Sequence, residues 1–272
     1  MVRLTTFCLS VMVICLVCCV DNTTKETATA THKEQVKPRF LIEDTSSALA
    51  YDSSYTQGVT AVDLNGDFYP EIFATNSWKN DNNFFYQNDR GTFIKVDTHS
   101  LTSDRLNANG ACWGDFTRNG KLDLVVANVN NASNQIFIAS ADTFSVKKVP
   151  QYDSINSWTY GMTWVDATNS GFLDLYAVNY HDQPNVFYRN IDGQLIESQD
   201  HVLSAGSHSS LNAVWADLDN NGYLDVIICG AKRNLIFKNL GGYHFEQLIE
   251  SPIIQANLTS YGCSVGDYDN DG

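Results

Sequence analysis

The sequence predicts an all-β protein, a β-propeller of four-stranded blades, and three observations carry that expectation. An acidic nine-residue pattern begins at Asp63, Asp115, Asp166, Asp217 and Asp267, a repeat of about fifty residues, which suits a propeller or solenoid unit. Each unit holds four short apolar segments separated by Gly, Asn or Asp, the composition of a four-stranded blade. Hydrophobic residues make up 43% of the 272-residue chain and aromatic ones 12%, ample for a packed core. A β-solenoid is the alternative, but its coils take fewer residues per rung and do not require four distinct segments.

The first strand of each unit lies before the acidic loop. Gly58, Gly110, Gly161 and Gly262 stand five residues ahead of the first Asp, with Asn212 in the fourth unit, and Trp113, Trp164 and Trp215 stand two ahead. Tryptophans in so fixed a register read as packing between blades rather than as a sugar-stacking platform. The apolar runs 72–74, 124–126, 175–177 and 226–228 follow the loops as second strands; β-branched and aromatic runs bounded by turn residues are buried strands. Third strands are read at 83–88, 134–137, 185–190 and 234–239, and fourth strands at 92–96 and 243–245.

Ahead of the repeats, Arg3 precedes an apolar stretch from Phe7 to Val20, too short to span a bilayer. Residues 1–19 read as an export signal. Leu16-Val17-Cys18-Cys19 resembles a bacterial lipobox, with Cys19 as the acylated anchor; a cleaved secretory signal is the other reading. Residues 20–39 are polar and aperiodic, a disordered tether. The propeller is expected over 40–272 as a fragment of about four complete blades, since the fifth loop stops at Gly272 before its ninth position. Of the seven cysteines, Cys112, Cys229 and Cys263 fall in the repeats; they make no disulfide framework and are expected as buried free thiols, with one bridge and one free thiol as the alternative.

The formal charge of −14 excludes attraction to nucleic-acid phosphates and favours cations. The loops offer Asp63, Asn65, Asp67 and Glu71; Asp115, Thr117, Asn119 and Asp123; Asp166, Thr168, Ser170 and Asp174; Asp217, Asp219, Asn221 and Asp225; and Asp267, Asp269 and Asp271. Oxygen donors at positions one, three, five and nine repel one another unless a cation lies between them, and Ca²⁺ takes six to eight such oxygens. Loops two and three carry two acids each, so weaker binding is expected there. Loop one has Phe68 where the pattern has Gly and moves its glycine to position 66, a departure in turn chemistry. The EF-hand reading fails, because the twelfth position holds Ala74, Val126, Ala177 and Ile228 instead of Glu.

On these residues the region from 58 to 272 resembles the FG-GAP/VCBS repeats of integrin-α-like β-propellers. The resemblance implies that each acidic loop joins two strands of a blade and holds calcium, a structural ion. No P-loop, G-x-G-x-x-G or H-E-x-x-H motif is present. The expected function is a non-enzymatic recognition or adhesion module, secreted or at the cell surface. Its partners would be an extracellular protein or a glycan, with membrane contact only through an N-terminal lipid. A secreted polysaccharide-active enzyme or accessory domain is the alternative. The poorly repeating loops at 76–80 and 180–184 are the expected binding elements, since propellers present such loops on one rim.

Overall fold

The computed structural model describes residues 45–78, 81–102, 107–130, 132–141, 143–148, 158–198, 201–255 and 259–267. The expected export signal and tether at 1–39, Cys19, and Asp269 and Asp271 of the fifth loop lie outside them.

Among the described residues, sixteen strands form four antiparallel sheets of four, each in sequence order. Blade one is β1 (Thr56–Val62), β2 (Glu71–Asn76), β3 (Phe84–Asp89) and β4 (Thr92–Lys95). Blade two is β5 (Ala108–Gly114), β6 (Asp123–Asn128), β7 (Gln135–Ser140) and β8 (Thr143–Lys148). Blade three is β9 (Thr159–Val165), β10 (Asp174–Asn179), β11 (Val186–Ile191) and β12 (Gln194–Glu197). Blade four is β13 (Ser210–Ala216), β14 (Asp225–Gly230), β15 (Leu235–Asn239) and β16 (Phe245–Leu248). The first strands β1, β5, β9 and β13 pack side by side, so the sheets fan out from a common inner edge as propeller blades.

Apolar layers between consecutive sheets hold the fan together. Phe73, Phe85, Trp113, Leu124 and Phe137 join blades one and two. Val125, Ile136, Trp164, Leu175 and Tyr188 join two and three, and Tyr176, Phe187, Val226, Ile228 and Phe237 join three and four. β6, β10 and β14 are buried along their whole length, which is why they read as unbroken apolar runs rather than as alternating strands.

The glycine before loops one and two has a steric cause. A Cβ on Gly58 would stand 3.1 Å from the carbonyl oxygen of Asn109, and one on Gly110 would stand 3.0 Å from that of Tyr160. Neighbouring inner strands approach here, where the fan is narrowest, and only a residue without a side chain fits.

The recurring tryptophan is an inter-blade bolt. Trp113 donates its indole N–H to the Thr60 hydroxyl of the preceding blade at 2.9 Å, and Trp215 donates to Thr163 at 3.0 Å. Trp164 has Cys112 at the equivalent position of its neighbour, and its indole nitrogen is buried without a hydrogen-bond partner. Its ring stacks on Phe116 at 5.1 Å and covers Gly114.

Candidate functional site

Every acidic loop that the structure describes in full connects the first strand of a blade to the second. In loops two, three and four the first Asp folds the turn onto itself. Asp115, Asp166 and Asp217 accept the N–H of the fifth residue at 3.0, 2.9 and 3.0 Å, and that of the sixth, a glycine, at 2.9, 2.7 and 2.7 Å. The fourth residue (Arg118, Asn169 or Asn220) and the sixth-position glycine are both left-handed. The fifth residue buttresses the exit: Asn119 and Asn221 accept the N–H two residues on, both at 2.8 Å, and donate to the carbonyls of Ala139 and Asn239.

Loop one follows the same path despite its different sequence. Asp63 accepts the N–H groups of Gly66, Asp67 and Phe68 at 2.8, 3.2 and 3.0 Å. Gly66 takes the left-handed fourth position at φ 78° and Phe68 the sixth at φ 69°. The displaced glycine therefore leaves the turn intact and moves the backbone strain onto Phe68, whose side chain is 91% exposed. Asn65 donates to Asp67 at 3.0 Å, and each accepts one further backbone N–H.

The ninth-position acids, Glu71, Asp123, Asp174 and Asp225, open the second strands and are buried. They tie each loop to the rest of its blade. Asp123 accepts from the N–H and hydroxyl of Thr117, both at 3.0 Å, and from Ala139 of β7 at 2.8 Å. Asp225 accepts from Leu218 at 2.9 Å and Asn239 of β15 at 2.7 Å; Glu71 accepts from Leu64 at 2.9 Å. Asp174 accepts from Asn190 at 2.8 Å and from the Tyr243 hydroxyl of the next blade at 3.1 Å. Tyr243 also hydrogen-bonds Thr168, and Ser170 donates its hydroxyl to Asp166 at 3.3 Å. Loops three and four meet directly, Asn169 donating to the Gly222 carbonyl at 2.6 Å.

Burial pushes the carboxyls of Asp123 and Asp225 above their ordinary range and that of Asp174 up to about 6. One oxygen of Glu71, Oε1, is buried with no hydrogen-bond partner, whereas Asp174 has the Ala167 backbone N–H as a further partner. Loop four brings ligand atoms of Asp217, Asp219 and Asp225 within 4.8 Å of one another. Among the described residues no other three acids converge so closely, and Asp63, Asp67 and Glu71 do not. The oxygen-only donor set of loop four, with its surplus negative charge, fits a hard divalent cation, which takes carboxylates, side-chain carbonyls and water. The Lys238 ammonium, 3.0 Å from Asp219, competes for that charge. Asp267 closes the described part of the fifth loop.

The opposite ends of the blades carry a second cluster. Because strands within a blade alternate in direction, the β2–β3 and β10–β11 turns lie at the end away from the acidic loops, together with the segments that enter each blade. There Trp78 meets Trp158 with ring centroids 6.3 Å apart, and Trp158 meets His181 edge-on at 4.5 Å. Tyr180 packs on His181 at 4.6 Å and on Tyr160 at 5.0 Å. The chain of rings runs from blade one to blade three. Backbone bonds hold it: Trp78 donates to the Asn107 side chain at 2.9 Å, Trp158 to Gln183 at 3.1 Å, and Tyr180 to the Trp158 carbonyl at 2.9 Å. Trp78 and His181 are exposed and left-handed, at φ 79° and 55°, strain of the kind that surrounding contacts must maintain. Beside them a polar cleft between blades three and four is lined by Asp182, His208, Ser209, Lys232 and Arg233. Of the two loops singled out in the sequence, Trp78 of the first and Tyr180 and His181 of the second lie in this rim; Lys79 and Asn80 lie outside the described residues. Trp158 and Tyr160 were missed because the sequence before them carries no periodic signal.

The family model for the FG-GAP-like repeat matches residues 63–126, 166–228 and 217–272, more than half of the chain. The chain belongs to the FG-GAP-like repeat family. Each match opens on the first Asp of a loop, so the repeats coincide with the loop-to-strand units described above. Among solved structures, the chain is similar to an Agrocybe aegerita lectin that recognises non-reducing terminal N-acetylglucosamine. That match has 19% identity and a TM-score of 0.46, over 70% of this chain and 51% of the lectin. It is also similar to the exo-β-1,3-galactanase of Phanerochaete chrysosporium, at 10% identity and TM-score 0.47, over 74% of this chain and 51% of the galactanase. The FG-GAP-like chain thus spans about half the length of these structures. No curated protein matches the sequence.

Proposed function

We propose that this FG-GAP-like repeat chain is an exported, calcium-binding recognition module, non-enzymatic, acting in secreted form or at the cell surface. The observation that carries the reading is the division of the blades into two unlike ends. One end concentrates acidic loops, whose first and ninth acids already organise the backbone; calcium held by Asp217, Asp219 and Asp225 in loop four would lock that end. In the other loops Glu71, Asp123 and Asp174 with their first-position partners Asp63, Asp115 and Asp166 offer further sites. The other end presents exposed aromatic rings held by hydrogen-bonded backbone, the residue types that dominate recognition surfaces. Calcium acts as a structural ion: it stabilises the folded state by mass action and fixes the platform on which the rim is mounted.

The test uses the full chain with Ca²⁺ or with EDTA on arrays of extracellular proteins and glycans, beside Trp78→Ala and Trp158→Ala variants. The expected result is a ligand whose capture falls about tenfold or more in either variant while the melting temperature stays unchanged. Hydrolysis of any glycan polymer by the parent protein, or capture indifferent to both substitutions, would overturn the reading.

A further inference from the structure

Cys229 and Cys263 occupy a place that the repeat defines four times over. The residue twelve positions after the first Asp of a loop lies near the end of the second strand, and its side chain crosses to the first strand of the next unit. Its counterpart there stands four residues before the next loop. The pairs in register are Thr75 with Ala111, Ala127 with Met162, Val178 with Ala213, and Cys229 with Cys263. Ala127 and Met162 share one buried cluster, and Val178 and Ala213 another. At the last interface both positions hold cysteine.

The fifth unit is seated to match. Ser260 donates its N–H to the Gly230 carbonyl at 3.0 Å and Thr259 its hydroxyl to the Ala231 carbonyl at 2.7 Å. Gly262 lies against the Asn212 side chain, 3.6 Å from its would-be Cβ, and Asn212 is the cross-strand partner of Cys229. Cys229 is buried and Cys263 half-buried. The sequence favoured separate buried thiols over one bridge and one free thiol. The register instead brings two of the three together.

We propose that Cys229 and Cys263 form a disulfide that joins blade four covalently to the fifth unit. The chemistry is thiol–disulfide exchange with a small-molecule disulfide. The more accessible Cys263 thiolate attacks that disulfide, forming a mixed disulfide and expelling one thiolate. Cys229 then attacks the Cys263 sulfur and expels the second. The two protein thiols are oxidised, the small disulfide is reduced to two thiols, and both protons leave with them. A hydrogen bond between the two thiols, which holds Cys229 below its ordinary value and raises Cys263, places the two sulfurs as direct neighbours before oxidation. Cross-linking across a blade interface resists separation of the fifth unit from blade four, the step that exposes β14.

The experiment treats the full chain with dithiothreitol and then with glutathione disulfide. Free thiols are alkylated and the chain is digested without reductant. The expected product is a cross-linked peptide joining Cys229 to Cys263, with Cys112 alkylated, and reductant lowers the melting temperature of the oxidised protein. Cys263→Ala abolishes both effects, and Ala already stands at this position as Ala111 and Ala213. Alkylation of both Cys229 and Cys263 after glutathione disulfide, or a cross-link to Cys112, would overturn the proposal; that reading needs only the parent chain.

Discussion

Replacing Cys112 by Thr should stabilise the protein, and the repeat itself supplies the reason. Trp113 and Trp215 each donate to a threonine of the preceding blade, Thr60 or Thr163, whereas Trp164 faces Cys112 and its indole nitrogen is unpaired and buried. An unsatisfied buried donor costs about 1–3 kcal/mol, and the net worth of a hydrogen bond made inside the protein is about 0.5–1.5 kcal/mol. Thr is close to Cys in volume and adds no void. Cys112 is buried at 8% exposure, so the new hydroxyl must be desolvated, which keeps the expected gain to about 1 kcal/mol. For a domain of this size that raises the melting temperature by roughly 2–4 °C. The assay is thermal and urea unfolding of Cys112→Thr, Trp164→Phe and the double variant. The expected coupling between the two positions is about 1 kcal/mol, because the introduced hydroxyl gains nothing when the indole is absent. A destabilised Cys112→Thr, or the same effect with and without Trp164, would refute the account.

Other perturbations follow from the same contacts. Gly110→Ala places a methyl 3.0 Å from the Tyr160 carbonyl and should cost about 1–3 kcal/mol in urea unfolding. Phe68→Gly relieves the left-handed phenylalanine of loop one and should stabilise the protein by up to about 1 kcal/mol, read by the same method. Lys238→Gln removes the cation paired with Asp219 and should tighten Ca²⁺ binding by at most a few-fold in calorimetry, as an exposed pair is weak, whereas Asp225→Asn should weaken it far more. His99 stacks on Phe85 and His201 packs at a tilt on Phe187, and burial holds both below the ordinary value of 6.5. A lowered histidine binds its proton less readily when folded, so its contribution is complete above pH 6.5 and declines as pH falls through the folded value. The raised carboxyls of Asp123, Asp174 and Asp225 act in the opposite sense, so the histidine contribution is read as a difference: on acidification below pH 6.5 a His201→Phe variant should lose less melting temperature than the parent.

The recurring Asp, Gly and Trp were legible in the chain because a blade reuses one local solution, and its cost falls on the same positions each time. The first Asp must satisfy N–H groups of a tight turn, and the sixth residue must be left-handed. Both requirements are local, so spacing reveals them. Loop one was harder to read. Its glycine is displaced, yet the hydrogen bonds to Asp63 impose the same path and Phe68 bears the strain. The ninth acid was visible as a donor, but its bonds to Ala139, Asn190 and Asn239 on the third strand depend on the pairing of the sheet.

By itself the sequence determined the all-β class, the unit length, the strand order within a blade and the oxygen chemistry of the loops, because hydrophobic runs, turn residues and charge act over a few residues. Only tertiary structure decided which atoms meet between units. It set the three aspartates of loop four together, left the Trp164 indole without an acceptor, drew Trp78 to Trp158 across a blade, and put Cys229 beside Cys263. Such contacts join residues far apart in the chain. Their distances are fixed by how closely one sheet packs on the next, a quantity that no single repeat contains.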